Sequence, residues 1–165
     1  MDVTSVDSSY THIHFAFATI DESTWTVDTS KVNDQFELLK GMTGPKKILS
    51  FGGWSFSTDP DTYPIFRQGV TSANRQAFAN NVVDFMVNNG LDGLDFDWEY
   101  LGAPDIPGIP PGNKDDGANY LEFLKIIHAR LPAGKTLSIA ASASFWYLKG
   151  FPIKDMAPVW ITSFI

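Results

Sequence analysis

The stretch LDGLDFDWEY, residues 91–100, sets an acid at every second position: Asp95, Asp97 and Glu99, with Leu94, Phe96, Trp98 and Tyr100 around them. In a β-strand successive side chains point to opposite faces, and those two apart line one face about 7 Å from each other. Read as a strand, the segment has one apolar face (Leu94, Phe96, Trp98, Tyr100) and one acidic face (Gly93, Asp95, Asp97, Glu99). Asp92 falls on the other parity, in the turn that enters the strand.

The flanking text says what could cover these faces. HIHFAFATI (12–20) reads as a strand, and Val32, Phe36 and Leu39 then recur at helical spacing up to Gly41. KKILSFGGW (46–54) is a second strand running into a Gly-Gly turn. A helix follows, with Thr71 or Ser72 as its N-cap, Phe78, Val82, Phe85 and Met86 on one face, and Gly90 where a C′ glycine belongs. After the opening stretch comes a Pro/Gly-rich loop (102–117), then a helix with Leu121, Leu124 and Ile127 on one face, ended by Pro132. TLSIAASAS (136–144) is the fourth strand and VWITSFI the start of a fifth. Strands alternating with helices predict an α/β domain whose parallel sheet is covered by helices. A doubly wound open sheet and a (β/α)₈ barrel both fit. Neither GxGxxG nor a P-loop is present to favour a nucleotide-binding open sheet.

The acidic face has several readings. A solvent-facing row suits an antiparallel sheet, but parallel sheets are covered on both faces. A calcium loop of the EF-hand type needs Gly at its sixth position and Glu at its twelfth; counted from Asp95 these are Tyr100 and Ile106. A magnesium site stays open, although no phosphate-binding element accompanies it. The remaining reading is acid catalysis. Crowded carboxylates do not all ionise, so one keeps its proton beside a charged neighbour, and that is the equipment for cleaving a glycosidic bond.

The 165 residues are 44% hydrophobic and 14% aromatic, enough for one packed domain, and carry a net charge of −7 with no Lys/Arg cluster. Nucleic acid and anionic membranes are poor partners for such a chain. There is no cysteine, hence neither a disulfide scaffold nor a cysteine zinc site. No apolar run is long enough to span a bilayer, and residues 1–12 lack the basic start and apolar core of a signal peptide. His12, His14 and His128 read as packing or surface residues; no third ligand joins the two strand histidines to make a metal site.

DGLDFDWE resembles the D-x-x-D-x-D-x-E signature of family 18 glycoside hydrolases, on Asp92, Asp95, Asp97 and Glu99, and SFGGW resembles the family's S-x-G-G element, on Ser50, Gly52 and Gly53. ILSFGGWSFST and GAPDIPGIPPG are similar to fungal chitinases of the killer-toxin-like branch. The resemblance implies a (β/α)₈ barrel that cleaves β-1,4-linked N-acetylglucosamine, in a family that is a substrate-assisted exception to two-carboxylate catalysis. It implies no cofactor or metal, chitin or chitooligosaccharide as partner, and secretion by a leader outside this chain. Glu99 would be the general acid and later the base, Asp97 would orient the substrate acetamide, and Asp95 would hold Asp97. Ser50 and Asp92 would be structural. Gly52 and Gly53 would let the backbone approach the sugar. Trp54 and Tyr100 are the leading sugar contacts, with Phe145, Trp146 and Tyr147 behind them; Trp98 reads as core and Trp25 is unassigned.

Against such a barrel of about 250 residues, residues 1–165 would be a partial catalytic domain: strands two to five of the family fold and the start of a sixth. This chain alone is expected to be inactive. A catalytically silent chitin-binding relative and an endo-β-N-acetylglucosaminidase are the alternatives for the parent; lectin-like members typically lose the acid, and Glu99 is present. Ser142 stands where relatives usually have Pro. From Trp160 the text reads as a shifted frame of the Asp-Tyr-Ile expected there.

Overall fold

The computed structural model describes residues 2–7 and 9–159. In chain order its elements are β1 (His12–Ile20), β2 (Val27–Asp28), α1 (Asn33–Gly41), β3 (Lys46–Gly52), α2 (Trp54–Thr58), α3 (Tyr63–Gly69), α4 (Arg75–Asn88), β4 (Gly93–Asp97), α5 (Asp116–Arg130), β5 (Thr136–Ile139), α6 (Phe145–Leu148) and α7 (Ile153–Met156). The strands form one sheet in the order β2-β1-β3-β4-β5. β1, β3, β4 and β5 run parallel, and β2 adds a short antiparallel hairpin on β1. Strand–helix alternation does not announce that hairpin. Its loop carries Trp25, which is buried against the Phe78 ring at 6.0 Å and so belongs to the core.

The period-two pattern of 91–100 does what it predicts through Trp98. Leu94, Phe96 and Trp98 are buried under the helices. Phe96 stacks on Phe51 of β3 and meets Phe66 of α3, Phe78 of α4 and Phe123 of α5 edge-on, with centroids 5.2–6.4 Å apart. Burying one such ring contributes about 1.5–3 kcal/mol, so this cluster is the main apolar anchor of the helices on β4. The strand itself ends at Asp97. Tyr100 leaves the helix-facing row and stacks on Tyr147, with centroids 4.4 Å apart, on the side of the acids.

Helix α4 ends as expected. Gly90 has φ +64°, its N–H donates to Val87, and Leu91 N–H reaches back to Met86, a Schellman closure. Its start departs from expectation, for neither Thr71 nor Ser72 is the N-cap. The Thr71 hydroxyl donates to the Gln68 carbonyl of the preceding turn, and the Thr71 carbonyl receives the Asn74 and Arg75 N–H groups. That turn uses up the cap, and the helix begins at Arg75. β5 covers only the first half of TLSIAASAS. The reading of VWITSFI as a strand, and of a shifted frame from Trp160, lies outside the described residues.

Candidate active site

Three parallel strands carry the inward row in register: Ser50 of β3 beside Asp95 of β4 beside Ser138 of β5. Asp95 is buried, and both its oxygens are occupied. The Ser50 hydroxyl donates to Oδ2 at 2.9 Å and the Ser138 hydroxyl to Oδ1 at 2.6 Å. His14 of β1 brings its Nδ1 within 3.5 Å of Oδ2. Burial pushes the Asp95 carboxyl up, but His14, Ser138 and Ser50 together outweigh it and hold the group below its usual range. His14 is the residue that the sequence misjudged. Its signal was available: Phe15 faces the helices, so the alternation turns His14 inward, toward the acids.

Asp97 sits in the opposite situation. Burial, then the charges of Glu99 and Asp95, then a hydrogen bond shared with Glu99 push its carboxyl up to about 6. Asp97 therefore keeps its proton up to about pH 6 and can offer it to the Glu99 carboxylate through that bond. The Tyr100 hydroxyl joins Glu99; burial first, then the Glu99 charge and that bond, raise its own pKa. Glu99 is fixed from behind, its backbone N–H donating to the Ser57 hydroxyl at 3.0 Å. A cleft of about 220 Å³ opens onto Asp97, Glu99 and Tyr100 and is walled by residues 140–143, including Ser142. A larger cavity of about 650 Å³ lies elsewhere, along the outer edge of β1, and touches the acid network only through His14.

The other candidates are spread around this centre. Asp92 laces the entry ends of β3, β4 and β5: its carboxylate takes the Lys47 backbone N–H at 3.0 Å and the Lys135 ammonium at 3.2 Å. Gly52 and Gly53 have φ +109° and +84°. The close approach they permit is to protein rather than to open space. A Cβ on Gly52 would collide with the Asp97 carbonyl, and one on Gly53 would meet the Phe17 ring at 2.8 Å. The Gly53 N–H also donates to the Asp97 carbonyl at 2.8 Å. Trp54 is half exposed and meets Tyr100 edge-on at 6.3 Å. Trp146 is engaged by the chain itself: Nε1–H donates to Asp105 at 2.9 Å, and the Lys149 ammonium lies 3.3 Å above its ring. Phe145 beside it is the freely exposed ring, 80% accessible. Among the described residues no group of three His, Cys, Asp or Glu is arranged to hold a metal ion, and no helix is long and apolar enough to cross a membrane.

Residues 4–161 match the family model of the glycosyl hydrolases of family 18. The chain belongs to that family. Among its family 18 relatives, a secreted chitinase (LysM12) of Penicillium expansum is 51% identical over 160 residues, covering 96% of this chain and 11% of the relative. The killer toxin subunits alpha/beta of Kluyveromyces lactis are 53% identical over 148 residues, covering 89% and 13%. The chain thus spans about a tenth of the length of the curated relatives it matches. A crystal structure of the group II chitinase catalytic domain 2 of Ostrinia furnacalis, a mutant in complex with penta-N-acetylchitooctaose, superposes with a TM-score of 0.76 at 27% identity, over 91% of this chain and 40% of that one. The sheet described above is accordingly an incomplete (β/α)₈ barrel of the family 18 type.

Proposed function

We propose that this chain carries the acid–base part of a chitinase site, hydrolysing β-1,4-linked N-acetylglucosamine chains with the substrate's own acetamide as nucleophile. The observation that carries the reading is the division of labour among three acids at the cleft end of β4, Asp95 and Asp97 on the strand and Glu99 just past it. Asp95 is clamped as an anion, while Asp97 and Glu99 share a proton at the mouth of a cleft. Family membership supports the reaction class, and the neighbour's complex with a chitooligosaccharide supports the substrate.

Glu99 gives its proton to the glycosidic oxygen as the bond from that oxygen to the anomeric carbon breaks. The acetamide carbonyl oxygen closes onto the same carbon, forming an oxazolinium. Asp97 accepts a hydrogen bond from the acetamide N–H and balances the positive charge. Glu99, now a carboxylate, takes a proton from water as the water attacks and opens the ring, which regenerates the starting configuration. Trp54 and Tyr100 cover the flat faces of the sugars with apolar ring area. Asp95 stays out of the chemistry and fixes the field in which Asp97 works. A secreted relative supports export of the parent protein.

The test is Glu99→Gln in the full-length protein, assayed on chitooligosaccharides. Turnover should fall by about 10²- to 10⁴-fold while oligomer binding is kept, because the amide has the shape but no acidic proton. Turnover close to that of the wild type removes Glu99 as the acid. Binding without turnover in the wild type points instead to a silent chitin-binding relative.

A further inference from the structure

We propose that His14 is a positioning residue for the carboxylate row: as an imidazolium it fixes Asp95 as an anion, which leaves the mobile proton to Asp97 and Glu99. The inference rests on the glycosidase reading and adds to it a residue that belongs to neither the D-x-x-D-x-D-x-E nor the S-x-G-G element.

The geometry is that of an inward-facing ion pair. His14 Nδ1 lies 3.5 Å from Asp95 Oδ2, the oxygen that also takes the Ser50 hydroxyl. Ser50 and Ser138 satisfy Asp95 with neutral donors. Among the described residues, His14 is the cation that Asp95 meets. Of the lysines in nearest register, Lys135 gives its ammonium to Asp92 on the far parity and Lys47 gives its ammonium to the Lys40 carbonyl.

The groups around His14 can be named element by element. β4 presents Asp95, with Asp97 beyond it. β3 presents Ile48 and the uncharged Ser50. On β1 itself, His12 turns to the Thr11 hydroxyl. Across the outer cavity stand Lys31 and Asp34. Of these, Asp95 alone moves the imidazole, raising its pKa by bonding and charge against the lowering effect of burial.

Two serine hydroxyls stabilise an ionised carboxylate, but a buried carboxylate with neutral neighbours can still take up a proton. Were Asp95 to do so, the proton would be lost to the pair that faces the cleft. A fixed cation next to Asp95 makes that uptake unfavourable. The His14 charge is therefore part of the reason that the row has one permanent anion and one shared proton.

The experiment compares wild type, His14→Gln and His14→Lys in the full-length protein, following turnover of an N-acetylglucosamine tetramer against pH. In His14→Gln, kcat should fall with little change in KM, and the acid limb of the profile should move up by about one pH unit, the effect of removing one nearby opposite charge. His14→Lys, which restores a cation, should move the limb back. A uniform loss at all pH values with the limb unmoved is what a merely structural histidine gives, and it overturns the proposal.

A second readout is independent of activity. Melting temperatures of wild type, His14→Gln, Asp95→Asn and the double variant form a cycle. The raised folded pKa of His14 contributes stability that is complete below 6.5 and is lost as pH climbs through the raised value. The lowered value of Asp95 contributes stability present above 3.8 and lost as pH falls through the lowered value. Coupling should thus appear at about pH 5 and vanish at about pH 9. Coupling that is absent at both, or equal at both, overturns the pair. If wild type does not cleave the tetramer at all, it is the glycosidase reading that fails, and the melting cycle still decides the pair.

Discussion

Gly52 lies so close to Asp97 that a Cβ on the glycine would run into the Asp97 carbonyl oxygen, with the Phe66 ring 2.9 Å away on the other side. The turn after β3 and the end of the acid-bearing strand are thus one packed unit. Gly52→Ala meets both a clash and a backbone at φ +109°, a conformation that costs an L-residue about 1–3 kcal/mol on its own. A loss of unfolding free energy of at least that size, read as a lowered urea midpoint, is expected, together with lost turnover even where the variant is still folded, because relief of the clash must move Asp97. An unchanged midpoint would show that the two backbones are not in contact.

Asp97 gives the fold a pH signature. Its folded pKa of about 6 lies above the ordinary 3.8, so the native state binds the proton more tightly than the unfolded chain does. Stability should therefore fall as pH rises from about 3.8 to about 6 and level off above that, the reverse of an ion-paired acid. Asp97→Asn should flatten this window. Thermal melting across it is the measurement, and an identical slope in both proteins would refute the shift.

Activity has its own pH limit. Once the proton shared by Asp97 and Glu99 is gone, no acid remains for the leaving oxygen, so kcat should decline above about pH 6. Asp97→Asn should slow chitin cleavage, and wild type should leave cellulose oligomers nearly untouched, since they lack the acetamide nucleophile. Efficient cellulose cleavage would contradict the substrate-assisted mechanism.

Trp146 ties α6 to the Pro/Gly-rich loop through Asp105, and Arg67 holds the same loop by the carbonyls of Pro110 and Pro111 at 2.9 and 3.0 Å. Trp146→Phe keeps a ring under Lys149 and loses one hydrogen bond, at a cost of about 1 kcal/mol. Faster limited proteolysis within residues 102–115, with global melting almost unmoved, is the expected result. Equal cleavage rates would mean that the Asp105 contact does not hold the loop.

Asp92→Ala should behave differently from every inward acid. It unties Lys47 and Lys135 at the ends of the strands away from the cleft, leaving a half-buried N–H without its acceptor, at about 1 kcal/mol. Melting should drop while the pH profile of turnover keeps its shape. A shifted profile would bring Asp92 into the proton network.

Much of this was legible from spacing alone. A strand repeats every two residues, so the placement of Leu94, Phe96 and Trp98 under the helices and of Asp95, Asp97 and Glu99 on the opposite face is written in the order of the residues. Gly90 is equally readable, because only a left-handed residue closes a helix in that way. Thr71 was misread because its hydroxyl had two possible partners, the next helix and the end of the previous one, and local sequence does not rank them. Trp25 and the β2 hairpin were unreadable for a related reason, since their place is set by packing against α4. Nothing in the local sequence pairs Trp146 with Asp105, which lies 41 residues away.

The sequence by itself determined which acids share a face, which element they stand on and which family they belong to, because those facts follow from the period of a strand and the identity of a few residues. Only the tertiary structure decided which acid keeps the proton. Asp95 and Asp97 are the same residue type on the same face of the same strand. They differ because His14, Ser50 and Ser138, from three other strands, converge on one, while burial and Glu99 press on the other. Proton affinity depends on distances of a few ångströms between residues far apart in the chain, and no linear spacing encodes those distances.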